Sequence, residues 1–465
     1  MPFTSSPKHS SCLAACAACA AFGLAAAVAA PAWAQATGDT SAPAAPAPAK
    51  SARQILDERY VVGPTAADEF GYRIAWQTEP LATKGSDTAV CSVDADSIWY
   101  GDNAGSVVRV RRENGESVWR ASTYKGLERL LSIDHLPLGQ SDNVYVVTDI
   151  YCVALDALTG SLVRRTVFGQ LPSSPPVAFG PYFICGTRTG LIAWFQYGAG
   201  YAWRATTIGG SVASTPTMEG GVVLAASSKG VVLAMDASST RVVWDRKLSS
   251  PVSARIAADH LAAFVAGQDQ TLWAFDMQRG RVLWHYFTQT PLLNDPVRMA
   301  DGLYLQIPGE GLVSFNPHPT DKPDGEVLWK STAPGNVVGR LGPSLLVWDH
   351  PSRTLSFVAN DTGRIVSQAA LPQVEVLNVV PPVNGDLYVA GKDGRVEHLE
   401  PLARPSVPGM PPAGAMMAAP AQPEAKPAAA PAGNSGDAPA AAPPATAPNA
   451  AIPSAPQPKL NPRLR

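Results

Sequence analysis

Cysteine, charge of one sign and catalytic motifs are all scarce in this chain of 465 residues. Of six cysteines, Cys12, Cys16 and Cys19 fall in an N-terminal leader, which leaves Cys91, Cys152 and Cys185 in the body. An odd number cannot be a disulfide framework, and each is expected as a buried strand residue. Charged residues are 16% of the chain and the formal net charge is -2, so nothing in the composition points to a nucleic-acid partner and none is expected. There is no Walker-type glycine loop, no G-x-S-x-G elbow and no H-E-x-x-H. The histidines, His9, His135, His260, His285, His318, His350 and His398, show no ligand-like spacing. Three follow an aspartate, as Asp134-His135, Asp259-His260 and Asp349-His350, but at different places relative to the expected strands, so they are read as turn residues. No catalytic, cofactor-binding or metal-binding residue is assigned on these grounds, and no cofactor is expected.

What the chain does have is a repeat. Gly221-Val-Val-Leu-Ala-Ala, Ser227-Ser-Lys-Gly230, Val231-Val-Leu-Ala-Met-Asp236 and Arg241-Val-Val-Trp244 form one unit. Leu261-Ala-Ala-Phe-Val-Ala-Gly267, Gln268-Asp-Gln270, Thr271-Leu-Trp-Ala-Phe-Asp276 and Arg281-Val-Leu-Trp284 form the next, 40 residues on. Short apolar, β-branched runs between polar turns predict hairpin-linked antiparallel strands. A strand-rich period near 40 predicts propeller blades.

Two landmarks count the blades. The tryptophan expected in the outer strand, or the residue replacing it, falls at Trp119, Arg164, Trp203, Trp244, Trp284, Trp329 and Ser367. The turn between the middle strands falls near Gly105, Ile150, Gly190, Gly230, Gln270, Gly311, Arg353 and Gly394, one more than the outer strands. The missing outer strand stands at the other end as Tyr72-Arg-Ile-Ala-Trp76. The fold expected is therefore all-β, an eight-bladed β-propeller of four-stranded antiparallel blades, closed by an N-terminal strand that completes the last blade. Trp76, Trp119, Trp203, Trp244, Trp284 and Trp329 are expected to pack blade against blade. Asp156, Asp236, Asp276 and Asp361 are expected to cap turn N–H groups. Pro175-Pro176, Pro216, Pro296 and Pro381-Pro382 are expected in or before innermost strands. Arg129, Arg255 and Arg340 are expected in those strands, as channel lining or partner contacts.

Around this body, at residues 71–400, the ends read differently. Residues 1–34 read as a secretory signal peptide with Ala32-Trp33-Ala34 before the cleavage point. Two other readings are Leu13-Ala14-Ala15-Cys16 as a lipoprotein box and an uncleaved anchor from Ser11 to Ala34. All imply export to the periplasm or cell envelope, with membrane association through the N-terminus in the latter two. Residues 35–70 read as an Ala/Pro-rich linker and one short helix that Gly63-Pro64 stops. Residues 401–465 read as a disordered Pro/Ala-rich tail.

The form Ala-x-Asp-x-x-Thr-Gly-x-x-x-Trp, seen in part at Ala154-Leu-Asp156-Ala-Leu-Thr159-Gly160 and Ala274-Phe-Asp276 to Trp284, resembles the repeat of the PQQ-like (quinoprotein-type) propeller family. Compact blades and an export leader resemble most its BamB-type, non-enzymatic branch. That resemblance implies a protein-binding scaffold with a protein partner in the cell envelope, serving outer-membrane protein assembly. The alternatives it leaves are a PQQ- and calcium-dependent quinoprotein dehydrogenase and a ligand- or glycan-binding propeller.

Overall fold

The computed structural model describes residues 51–402 except Pro80, Gly126, Gly139 and Gln140. The signal peptide, the lipoprotein-box and anchor readings, the spacer before Ser51 and the tail beyond Leu402 lie outside the described residues. Two short helices come first, α1 (Ala52–Asp57) and α2 (Pro64–Glu69). Ser51 and Gln54 close a capping box on α1. The expectation that Gly63-Pro64 ends a helix is corrected: Pro64 begins α2, because its fixed φ suits the first helical turn, where its missing N–H costs nothing.

The strand β1 (Tyr72–Gln77) follows, and the remaining strands form eight four-stranded antiparallel sheets with it. Blades 1 to 7 span residues 88–122, 130–167, 177–207, 217–247, 257–287, 297–331 and 336–370, each built in chain order from the innermost strand outward. Blade 8 takes three strands from residues 374–401 and its outer strand from β1. Tyr72 pairs with Pro401, Arg73 with Glu400, Trp76 with His398 and Gln77 with Glu397. The ring is thus an eight-bladed β-propeller whose last blade joins the two ends of the body, as expected. The ring runs two residues past the boundary drawn at 400, since Leu402 N–H still donates to the Gly71 carbonyl.

Second and third strands are buried almost throughout, for example Phe264, Val265 and Phe275 in blade 5. The outer strands of blades 6 and 7 alternate between covered and exposed residues, as strands with one solvated face do. Cys91, Cys152 and Cys185 are free and buried, and burial pushes the Cys91 and Cys152 thiols up to about 12. Pro176, Pro216 and Pro296 directly precede innermost strands. Pro381-Pro382 instead follows the innermost strand of blade 8, Val374–Val380, and Pro382 accepts from Arg340 N–H of blade 7 at 2.8 Å.

Candidate protein-binding rim

Indole rings join the blades by one repeated contact. Trp76, Trp119, Trp244, Trp284 and Trp329 each donate Nε1–H to a main-chain carbonyl in the outer turn of the next blade, at Arg112, Ala157, Met277, Pro317 and Asn360. A left-handed glycine of the same turn lies flat against the ring. A Cβ on Gly280, at φ 64°, would sit 2.5 Å from the Trp244 indole. Asp156, Asp236 and Asp276 cap these turns, accepting from Thr159, Ser239 and Arg279 N–H at 2.7–2.8 Å. Asp361 does not. Ala359 holds the corresponding place, four residues before Gly363, and among the described residues the Asp361 carboxylate meets only the Thr362 hydroxyl, at 3.2 Å.

Trp203 is a correction to the expected set. In the strand register Trp244 stands opposite Ala234 and Trp284 opposite Ala274, but in blade 3 the equivalent residue is Arg204, opposite Trp194. The third-strand Trp194 makes the contact to the next blade, donating to the Ala237 carbonyl at 3.0 Å. Thr240 takes the glycine position in that turn, at φ 59°. Trp203 itself is 46% exposed and rests on Tyr182 of its own blade, with ring centroids 5.2 Å apart. Among the described residues, two junctions lack an indole. Between blades 2 and 3, Tyr197 packs on Tyr145 and donates to the partly buried Asp134 at 3.1 Å. Between blades 7 and 8, Phe70 from the segment after α2 stacks on Phe357.

The three arginines do not gather at one site. Arg129 precedes the innermost strand of blade 2 and donates to the Ser173 carbonyl at 2.7 Å. Arg255 leads into that of blade 5, where its backbone N–H meets Asp295 at 2.7 Å and its side chain meets Thr217 at 3.3 Å. Arg340 lies near the end of its strand, hence at the opposite end of the ring, and binds Asp301. Each ties its blade to a neighbour.

Several histidines pair with carboxylates. His318 Nε2 and Arg298 Nε share Asp259 Oδ2, both at 2.8 Å. His135 lies within a strand, not in a turn, and approaches Asp142 at 2.7 Å with its ring against Trp99. His398 stacks on Tyr388 at 4.5 Å, with Asp386 at 3.3 Å. These groups clamp strands and loops. Among the described residues no group of three His, Cys, Asp or Glu side chains is arranged to hold a metal ion. The cysteines stand singly in blades 1, 2 and 3. This donor set does not fit a calcium-bound quinone.

Several apolar side chains are exposed on the outer strands of blades 2 and 3. Leu162, Val163 and Val167 of one outer strand and Tyr201 and Trp203 of the next are exposed. Gly169 N–H donates to the Gly200 carbonyl at 2.8 Å, which sets Tyr201 beside the end of the blade 2 strand. Arg204 lies over the Trp203 ring at 5.2 Å. Exposed aromatics beside arginine are the residues that carry most binding energy in protein interfaces, and apolar patches of this kind mark contact surfaces. The glycine-plus-four spacing from Gly200 points to Arg204, and so could have flagged Trp203 as free for another use.

The described ring is a β-propeller of PQQ-like repeats. Comparison with known proteins carries this further. A family model described as "Outer membrane protein assembly factor BamB" matches residues 187–320. The outer membrane protein assembly factor BamB of Yersinia pestis is 26% identical over 311 residues, covering 60% of this chain and 76% of that protein. Among solved structures, BamB from Moraxella catarrhalis aligns with a TM-score of 0.54 at 19% identity, over 71% of this chain and 97% of that one. The computationally designed Ika8 protein aligns with a TM-score of 0.56 at 12% identity, over 70% and 99%. The chain is a PQQ-like propeller similar to those of the BamB type.

Proposed function

We propose that this chain is an exported, non-enzymatic propeller that binds a protein partner in the cell envelope and serves outer-membrane protein assembly. The observation that carries the reading is its sequence likeness to a protein named as an outer membrane protein assembly factor, extending over 76% of that protein. The leader at residues 1–34 supports a periplasmic site of action, and the exposed rim of blades 2 and 3 offers a contact surface. The ring is held by backbone pairing within each blade and by aromatic contacts between blades, indoles at six junctions, which suits a rigid platform presenting its rim to a larger partner.

A photo-crosslinking amino acid placed at Trp203 in cells tests this. Recovery of an outer-membrane assembly component supports the reading, whereas recovery of soluble metabolic enzymes alone overturns it. Dye reduction by the purified protein with PQQ, Ca²⁺ and alcohols or sugars would overturn its non-enzymatic part.

A further inference from the structure

The closing blade carries a second surface, independent of the rim. Along the outer edge of β1 runs a slot of about 540 Å³. One side is formed by five consecutive residues of that strand, 73–77, and the other by Leu56, Arg59, Tyr60 and Pro64 from the helical segment. β1 is an edge strand: its hydrogen-bonded neighbour lies on one side only. Among the described residues no main-chain hydrogen bond reaches residues 73–77 from the slot side. An edge of unpaired N–H and C=O groups beside an apolar wall is the arrangement in which an extended peptide adds to a sheet.

The outer edge of blade 5 is built differently. On blade 5, His285 N–H is met by the Pro323 carbonyl of the neighbouring loop at 2.9 Å. Among the described residues α1 and α2 are the only helices, so no other blade edge has a helical wall. Five residues of strand span about 17 Å, room for a segment of similar length.

The charges give the segment a direction. The Arg59 carbonyl accepts from the Gln77 side chain, which sets Arg59 at the far end of β1, and its exposed guanidinium has no carboxylate partner among the described residues. Asp68 also lines the slot, and lies close in sequence to the start of the strand. Arg73, beside it, is engaged by Glu400 at 2.7 Å. We propose that an extended segment of a partner polypeptide adds as a fifth strand to blade 8 in this slot. It carries an acidic residue toward Arg59, a basic residue toward Asp68 and apolar side chains against Leu56 and Tyr60.

The test uses the full ring and a fluorescein-labelled peptide of alternating Val and Thr with Glu at one end and Lys at the other, read by anisotropy. Saturable binding is expected, with slowed amide exchange at residues 73–77. Leu56→Asp, at an exposed position, is expected to weaken binding at least tenfold with unchanged melting. Arg59→Glu is expected to weaken it and to favour a peptide whose Glu is replaced by Lys. No saturable binding, equal binding of a proline-interrupted peptide, or indifference to both substitutions would overturn the proposal.

Discussion

Phe70 stacks on Phe357, centroids 4.8 Å apart and planes 9° from parallel, at the junction where Ser367 stands in place of the outer-strand tryptophan. Ser367 pairs directly with Phe357 in the strand register, so the ring missing from the sheet arrives from the segment after α2. Phe70→Ala is expected to cost about 3–5 kcal/mol, as an aromatic truncation in a core. Urea unfolding measures it, and a loss below about 1 kcal/mol would show that the stack does not hold the junction.

At the junction of blades 4 and 5 the glycine and the indole are two halves of one contact. Trp244→Ala is expected to cost about 3–5 kcal/mol. Gly280→Ala places a methyl group against the ring at a left-handed φ, for a loss of about 2–4 kcal/mol. The double variant should lose less than the sum of the two, because the methyl then meets a cavity. Strict additivity in denaturant melts would count against the contact.

Glu397 is fully buried and accepts from Val61 and Val62 N–H at 2.8 and 3.0 Å, which pins the helical segment to blade 8. Burial pushes its carboxyl up to about 7, while those hydrogen bonds and the nearby Arg395 hold it down only in part. The folded chain therefore binds this proton more tightly than the unfolded chain. Its contribution is fully present below about pH 4.5 and is lost as pH rises through 7, amounting to roughly 3 kcal/mol. Glu397→Gln keeps an acceptor and removes the charge. The stability of the variant relative to the native chain should rise between pH 5 and 8, and parallel pH profiles of the two proteins would contradict this.

The rim of blades 2 and 3 predicts a separation of binding from stability. Trp203→Ala and Val163→Asp are expected to change unfolding free energy by no more than about 0.5 kcal/mol, as surface substitutions. Each should weaken capture of the envelope partner about tenfold or more. Undiminished capture by the double variant would exclude this surface.

Much of the architecture was legible because strand, turn and glycine recur at fixed offsets from Gly115 to Gly394. Even the closure could be inferred, since Tyr72 to Trp76 had no inner strands before it. What misled was identity without register. Trp203 is a tryptophan in the right neighbourhood, but position four after Gly200 is Arg204, and a one-residue offset turns a side chain to the opposite face. Asp361 misled in the same way, two residues past the capping position at Ala359. Phe70 and Glu397 were not legible, because their partners at Phe357 and Val61 are distant in sequence and obey no repeat. The candidate rim emerged only from exposure, which depends on how the blades curve.

Arg73 and Glu400, joined at 2.7 Å across 327 positions of sequence, make the final sector the product of two pieces from opposite ends of the ring's sequence. A ribosome must deliver nearly the whole body before that sector can exist. Any polypeptide clipped short of residue 396 leaves β1 without a neighbour, an open flank that proteases and holdases can recognise. Geometry alone thus sorts finished molecules from fragments.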